Sequence, residues 1–128
     1  MTYPDSIQFL YSLGNEIKPV RLGLARVATV LKALGNPQHD YNVVHVAGTN
    51  GKGSVCAMIE AGLRHAGVRT GLYTSPHLVE PTERIRIAGV DVSQQKFLVA
   101  FEEVHRVSEE LLTAGDIDGH PTYFETVT

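Results

Sequence analysis

A cluster of three glycines, one lysine and three small polar residues occupies positions 48–54, in the order Gly48-Thr49-Asn50-Gly51-Lys52-Gly53-Ser54. Glycines allow the close backbone approach and the unusual dihedral angles that direct several N–H groups toward one anion. Lys52 supplies a full positive charge for β- and γ-phosphates, and Ser54 offers a hydroxyl to a phosphate oxygen or to Mg²⁺. The cluster therefore predicts a binding loop for the phosphates of a nucleotide.

The sequence on either side of this loop supplies the elements that a phosphate-binding loop requires. Residues 43–47 are short, apolar and largely β-branched, which predicts a buried strand. Residues 54–66 predict a helix that Gly67 ends, and the positive end of that helix would face the same anion as the glycines. The general pattern G-x-x-x-x-G-K-[ST] is met imperfectly, because Val46 replaces its first glycine and Gly53 replaces its hydroxyl residue.

A second short strand is predicted at residues 70–73, so that strand, glycine loop, helix and strand follow one another as a βαβ unit. Such a unit has parallel strands and a right-handed crossover. Residues 84–92 alternate apolar and polar side chains around Ala88-Gly89, which predicts a hairpin. The fold class expected is α/β, a P-loop-type parallel sheet with flanking helices that is incomplete within this chain.

Apolar residues at helical spacing predict the flanking helices. One short helix ends at Gly14, and a second lies within residues 20–34 and is stopped by Gly35-Asn36-Pro37. Ser93 is placed to cap a third helix. The apolar face of this third helix comprises Phe97, Phe101, Val104, Val107 and Leu111.

The last predicted helix begins close to the end of the sequence. Thr122 and Glu125 match a capping box that would start a helix at Tyr123, and the sequence stops at Thr128. A domain does not ordinarily stop within the first turns of a helix. We therefore expect residues 1–128 to be the N-terminal part of a larger domain.

The composition excludes several classes of protein. The 128 residues carry 11 basic and 14 acidic side chains, and this net charge of −3 offers no electrostatic footprint for nucleic acid or an anionic membrane. Cys56 is the only cysteine, so no internal disulfide or cysteine zinc site can form, and the six histidines lack paired ligand spacing. The sequence has no apolar run near the roughly 18 residues of a membrane span and no signal peptide pattern, so a cytoplasmic location is expected.

Five segments, in order, resemble the folylpolyglutamate and dihydrofolate synthases, a family related to the Mur ligases. The segments are the glycine loop at 48–54 together with Leu-Gly-Asn-Pro-Gln at 34–38, Tyr-Thr-Ser-Pro-His-Leu at 73–78, Thr-Glu-Arg-Ile at 82–85 and Thr-Tyr-Phe-Glu at 122–125. The resemblance implies an ATP-dependent ligase that adds L-glutamate to folate, or also to dihydropteroate, through an acyl phosphate. ATP and Mg²⁺ are the implied cofactors, with Lys52 as the catalytic residue. The implied ATP-binding residues are Gly48, Thr49, Asn50, Gly51, Lys52, Gly53 and Ser54.

The resemblance also implies roles for the segment that follows the second strand. Ser75 would bind Mg²⁺ through its hydroxyl, or it is only part of a turn. The loop at 76–84 would approach the substrate, with His77 in contact. Arg84 would pair with a carboxylate or phosphate, or it is a solvated surface side chain.

The segment at 122–125 is implied to contact dihydropteroate. Phe124 would stack its ring on the flat pterin, or an aromatic side chain here belongs to the core. The first role expected of Thr122 is to cap the helix, and a contact with the pterin would be a second role.

Two other functions fit the same residues. Another Mur-type ligase, joining an amino acid to a cell-wall precursor, would share the loop, although Gly53-Ser54 and residues 75–78 favour the folate branch. A nucleotide-binding or structural module without catalysis would also fit, because the family's later acidic metal ligand and its C-terminal glutamate-binding domain would lie beyond Thr128. The full-length protein is expected to be a monomer whose partners are small molecules: ATP, L-glutamate, and folate or dihydropteroate.

Overall fold

The computed structural model describes residues 1–14 and 23–128 of the chain. They divide into two compact units, one formed by Met1–Asn42 and Leu98–Thr128 and the other by Val43–Phe97. The helices are α1 (Tyr3–Ser12), α2 (Ala25–Ala33), α3 (Lys52–His65), α4 (Gln94–Ala114) and α5 (Tyr123–Val127). The strands are β1 (Gly71–Tyr73), β2 (Ile85–Ile87) and β3 (Val90–Asp91), and short 3₁₀ helices lie at Pro37–His39 and Pro81–Arg84. The sheet and α3 belong to the second unit.

Two helix starts that the sequence predicts are confirmed by their capping hydrogen bonds. Ahead of α4, the Ser93 hydroxyl accepts from the Lys96 N–H at 3.2 Å. Ahead of α5, the Thr122 hydroxyl accepts from the Glu125 N–H at 3.2 Å, and the Glu125 carboxylate accepts from the Thr122 N–H at 2.8 Å. Both orphan donors of this capping box are thereby satisfied.

The glycine predicted to stop the second helix does so. The last residue of α2 is Ala33, and Gly35 follows with a φ of 83°, a left-handed conformation that favours glycine. The sequence also predicted that this helix would reach back toward residue 20; residues 20–22 lie outside the described residues.

Apolar side chains from α1, α2, α4 and α5 form the core of the first unit. Leu10 of α1 is 0% exposed. His105 of α4 joins this core, because its ring stacks on Phe101 with centroids 5.6 Å apart and Phe9 packs edge-on against it at 4.5 Å. The buried apolar side chains of this unit's described residues are Leu10, Val30, Leu98, Phe101, Val107, Ile117, Tyr123 and Val127.

The second unit contains a three-stranded sheet in the order β1-β2-β3. Both pairs are antiparallel, with Gly71 opposite Ile87 between β1 and β2. The predicted hairpin is confirmed. Its turn places Ala88 at φ 51° and Gly89 at φ 81°, and two successive positive φ values match the twist of flanking strands.

The predicted parallel pairing is not found among the described residues. Residues 71–73 are a strand, as expected, but their partner is β2 and the ladder is antiparallel. Residues 43–47 form no strand, and Val43 and Val44 are exposed to solvent. A β-branched run supplies only a preference, whereas a strand also needs a neighbour that satisfies its N–H and C=O groups. The P-loop-type parallel sheet therefore stays a prediction, and the described fold is a partial α/β domain.

None of the helices in the described part of the chain combines the length and the apolar character that crossing a bilayer requires.

The burial of Leu10 predicts a large loss of stability when its side chain is shortened. Leu10→Ala should lower the free energy of unfolding by about 2–5 kcal/mol, since it removes buried methyl groups and leaves a cavity. Leu78→Ala is the matched control, because it removes the same atoms from a side chain that is 93% exposed and should change stability by less than about 0.5 kcal/mol. Urea denaturation of the purified variants measures both, and equal losses would contradict the placement of Leu10.

Candidate functional site

The predicted phosphate loop leads directly into the first turn of α3. Gly51 is the N-cap residue of this helix, with a left-handed φ of 76° that favours glycine. The first helical hydrogen bond runs from the Val55 N–H to the Gly51 carbonyl at 3.0 Å. The N–H groups of residues 52–54 consequently have no acceptor within the helix, and the positive end of the helix dipole lies at the same point. Donors arranged in this way bind anions.

Lys52 folds back across the loop. Its Nζ donates to the Gly48 carbonyl at 2.6 Å and to the Thr49 carbonyl at 3.4 Å. Both acceptors are neutral, whereas a phosphate oxygen is charged and makes a stronger hydrogen bond with an ammonium group. The ammonium is thus held at the loop and can exchange carbonyl oxygens for phosphate oxygens by rotating its own side chain.

Gly53 is not explained by packing within the fold. A Cβ at this position would meet no atom within 4 Å, and its φ lies outside the range that favours glycine. Glycine in a helix costs up to about 1 kcal/mol relative to alanine. The missing side chain leaves open space on the exposed first turn of α3, where an anion would approach the backbone.

Ser75 lies just beyond the end of β1 and is exposed. The Thr74 N–H donates to the Arg84 carbonyl at 2.9 Å, so Ser75 is the first residue past the pairing of β1 with its neighbour. The Ser75–Pro76 peptide bond is cis. Among the described residues no three His, Cys, Asp or Glu side chains come together to hold a metal. The Ser75 hydroxyl is an oxygen ligand of the kind that Mg²⁺ accepts beside phosphate oxygens and water.

The structure brings together His77 and Arg84, two of the residues predicted to face the substrate. Arg84 is only 3% exposed, so the alternative of a solvated surface side chain is wrong. Its Nε donates to Nδ1 of His77 at 2.8 Å. Because arginine only donates, Nδ1 is the acceptor and the proton of the neutral imidazole lies on Nε2. A guanidinium withdrawn from water also attracts anions more strongly, because water screens it less.

Glu83 organises the loop that carries His77, a role that the sequence analysis missed. Its Oε2 accepts from the Leu78 N–H at 2.9 Å, and its Oε1 accepts from the N–H groups of Val79 at 2.9 Å and Glu80 at 2.7 Å. These backbone hydrogen bonds, that from Leu78 foremost, hold the pKa of the Glu83 carboxyl below its usual range. One carboxylate thus fixes three consecutive residues.

The segment with Thr122 and Phe124 belongs to the first unit, whereas the loop and the residues from 75 to 84 belong to the second. Tyr123 is the core aromatic here, 4% exposed and stacked on Tyr11 with ring centroids 5.7 Å apart. Phe124 is 46% exposed, so its ring is available for stacking. The Thr122 hydroxyl caps α5, as predicted.

Arg26 of α2 supports this segment from far away in the sequence. Its Nη1 donates to the His120 carbonyl at 2.8 Å and lies 3.7 Å from Oε2 of Glu125. Its Nη2 donates to Oδ1 of Asp118 at 3.3 Å. The same Glu125 oxygen accepts from the Thr122 N–H. Arg26 therefore holds the chain on both sides of Thr122.

Glu83 and Arg26 escaped the sequence analysis for different reasons. A local signal exists for Glu83, because Glu80 and Glu83 have the spacing of a capping box, which the structure forms. No local signal exists for Arg26, since its partners Asp118 and His120 lie 92 and 94 residues further along the chain.

Known proteins similar to the chain are folylpolyglutamate and dihydrofolate synthases. A probable dihydrofolate synthetase of Schizosaccharomyces pombe is 42% identical over 110 residues, which are 86% of this chain and 25% of that protein. Folylpolyglutamate synthetase from Lactobacillus casei superposes with a TM-score of 0.89 at 33% identity, over 99% of this chain and 31% of that one. An Escherichia coli enzyme in complex with DHPP and ADP superposes with a TM-score of 0.79 at 34% identity, over 99% of this chain and 28% of that one. No family model matches the chain.

By homology, the chain belongs to the folylpolyglutamate and dihydrofolate synthase family. The resemblance inferred from the five sequence segments is thereby confirmed. The chain spans between 10% and 27% of the length of the curated relatives it matches. Its described residues are a partial α/β domain of the Mur-ligase-like fold that these synthases share.

The hydrogen bonds of Glu83 predict that the titration of its carboxyl can be followed through the backbone amides of the loop. The folded pKa lies below that of an unfolded glutamate, about 4.3. The stability that the contact contributes is therefore present above about pH 4.3 and is lost as the pH falls through the lower folded value. In ¹⁵N-resolved NMR spectra, the amide signals of Leu78, Val79 and Glu80 should shift together with one midpoint below 4.3.

Two variants control this titration. In Glu83→Gln the amide NH₂ cannot accept a hydrogen bond, so the three amide signals should lose the titration and their hydrogens should exchange faster. Glu110→Gln removes a surface carboxylate of α4 and should leave the three signals unchanged. A midpoint at or above 4.3 in the unmodified protein would contradict the three-bond arrangement.

Proposed function

We propose that this chain is the N-terminal part of an ATP-dependent ligase that adds L-glutamate to folate, with dihydropteroate as a second acceptor substrate. Support comes from the relatives: one is a folylpolyglutamate synthase complex with AMPPCP and folate, 34% identical to this chain, and another is the Escherichia coli complex with DHPP and ADP. The ATP-binding domain would begin in this chain. The glutamate-binding domain would lie in the part of the relatives' length that the chain does not span.

The observation that carries the proposal is the group of unsatisfied N–H donors at the start of α3, with the ammonium of Lys52 beside them. ATP presents several negative charges that must be neutralised before an anionic carboxylate can approach its γ-phosphate. Backbone donors and the helix dipole are fixed in direction, so they stabilise the phosphates without reorganising. The other residues proposed to bind the phosphates are Gly48, Thr49, Asn50, Gly51, Gly53 and Ser54.

The reaction would proceed in two displacements. An oxygen of the substrate carboxylate attacks the γ-phosphorus, the bond to the bridging oxygen breaks, and ADP leaves with that electron pair. The amine nitrogen of L-glutamate then attacks the acyl phosphate carbonyl, and the C–O bond to phosphate breaks. Inorganic phosphate and one proton leave as the amide forms. The ammonium of Lys52 would stay close to the γ-phosphate during the first displacement. A positioned cation contributes most at this step, because it stabilises the negative charge of the transition state.

The hydroxyls of Ser54 and Ser75 fit a magnesium ion. Both are exposed oxygen donors, one in the first turn of α3 and one beyond β1, and Mg²⁺ commonly takes a few protein oxygens together with phosphates and water. When bound, the ion would neutralise phosphate charge.

The remaining predicted residues would hold the acceptor substrate. Arg84, buried beside His77, would attract a carboxylate or a phosphate at the end of the loop that Glu83 fixes. Thr122 and the exposed ring of Phe124 would contact the pterin of dihydropteroate. The full-length protein would act as a monomer.

Lys52→Ala in the full-length protein tests the proposed role of the ammonium group. Removing one fixed donor to a developing anion should lower kcat/KM for ATP by about 100-fold or more. Lys32→Ala, a change of an exposed lysine on α2, is the matched control and should leave turnover unchanged. Near-normal turnover in Lys52→Ala would remove Lys52 from the catalytic residues.

The substrate class is tested by phosphate release from ATP in the full-length protein. Release should depend on L-glutamate together with folate or dihydropteroate. Release that instead requires a cell-wall precursor would favour another Mur-type ligase. Calorimetry of residues 1–128 with ATP and Mg²⁺ addresses the remaining alternative, since no heat at millimolar ligand would favour a purely structural module.

A further inference from the structure

Glu60 is a buried acid that the proposed chemistry does not use. It lies in the second half of α3 and is 8% exposed. A carboxylate withdrawn from water costs free energy unless its oxygens are hydrogen-bonded. Its Oε1 accepts from the Thr70 hydroxyl at 2.6 Å and from Nε of Arg64 at 3.0 Å. These contacts, the Thr70 hydroxyl foremost, hold the pKa of Glu60 below its usual range, so the group is charged at neutral pH.

Thr70 connects this carboxylate to the sheet. It precedes β1, and its carbonyl accepts from the Ala88 N–H at 3.0 Å in the hairpin turn. Arg64 lies against the same turn, because a Cβ on Gly89 would come within 2.7 Å of its Nε. One cluster of polar contacts therefore joins α3, the start of β1 and the turn between β2 and β3.

The cluster lies between two parts of the proposed ATP site that are far apart in the sequence. The chain turns back at Gly67, and β1 packs against α3 with Thr70 bonded to Glu60, so we expect the start of α3 and the end of β1 to lie on the same side. From Glu60 the helix runs six residues back to Ser54, about 9 Å. From Thr70 the extended chain runs five residues forward to Ser75, about 16 Å.

We propose that Glu60 is a positioning residue for nucleotide binding: through Thr70 it sets the spacing between the phosphate loop at the start of α3 and the hydroxyl of Ser75. This rests on the proposed function, because the spacing matters only if phosphates and a magnesium ion bind across it. Apolar contacts between a helix and a strand permit sliding, whereas a short hydrogen bond to a charged acceptor fixes one alignment. A misplacement of about 1 Å is enough to cost on the order of 100-fold in catalysis.

The first test compares Thr70→Val with Thr70→Ser in the full-length protein. Valine keeps the shape of the side chain and removes the hydroxyl, whereas serine keeps the hydroxyl. Calorimetry with AMPPCP, once with Mg²⁺ and once with EDTA, measures how strongly the ion tightens binding. The ratio of the AMPPCP dissociation constant in EDTA to that with Mg²⁺ should fall by about tenfold in Thr70→Val, while the dissociation constant in EDTA changes little. In Thr70→Ser the same ratio should stay within about twofold of the unmodified protein.

Glu60 itself is tested in the same way. Glu60→Gln keeps an oxygen that accepts from the Thr70 hydroxyl and should retain most of the magnesium effect, whereas Glu60→Leu should lose it. Glu103→Leu, at an exposed glutamate of α4 that also pairs with an arginine, is the matched control and should behave as the unmodified protein. If Glu60→Leu does not fold, the two Thr70 variants decide.

The proposal is overturned if Thr70→Val, together with Glu60→Leu where that variant folds, differs from the unmodified protein only in melting temperature and keeps its full response to Mg²⁺. A merely structural role would give that result. Analogue binding without folate-dependent phosphate release would remove the proposed substrate and leave the Glu60 result standing. Absence of analogue binding by the unmodified protein would overturn both.

Discussion

A multiply charged anion can be held by a small protein only where donors fixed in direction already face it. In this chain the turn into α3 meets that condition, because Gly51 in a left-handed conformation starts the helix and leaves the next three N–H groups without helical acceptors. The ammonium of Lys52 lies at the same loop, where it donates to the Gly48 carbonyl, and in the proposed function a phosphate oxygen would replace that acceptor. The same unit carries Ser75, His77 and Arg84, to which the proposed function assigns metal and substrate contacts.

These three residues follow α3 in the order of the chain. From α3 the chain reverses into β1, passes Ser75, and enters a loop whose shape Glu83 fixes through three backbone N–H groups. The loop ends at Arg84, whose carbonyl accepts from the Thr74 N–H across from it. The loop therefore starts and ends at the same end of the paired strands β1 and β2, which explains how His77 and Arg84 meet although they are seven positions apart in the sequence.

The features that could be predicted from the sequence are those with a local cause. The caps at Ser93 and Thr122, the stop at Gly35 and the Ala88-Gly89 hairpin each depend on residues a few positions apart, and each is confirmed. The parallel pairing of residues 43–47 depends on a neighbour that no nearby residue specifies, and the described strands pair differently. Side chains that act over long sequence separations, such as Arg26, leave no periodic or spacing signal for the same reason.

Glu60, Glu83 and Arg26 share a property that bears on why such residues are present. Each is a charged group with little exposure or with backbone partners, and replacing such groups by apolar side chains is often neutral or favourable for stability. Apolar packing, however, is non-directional and tolerates small displacements. A carboxylate that accepts three N–H groups, or a guanidinium on a carbonyl, allows only one arrangement of its partners. The proposed function would depend on the separation of a few oxygens and one nitrogen, and for it that directional constraint would be worth more than the stability an apolar side chain adds.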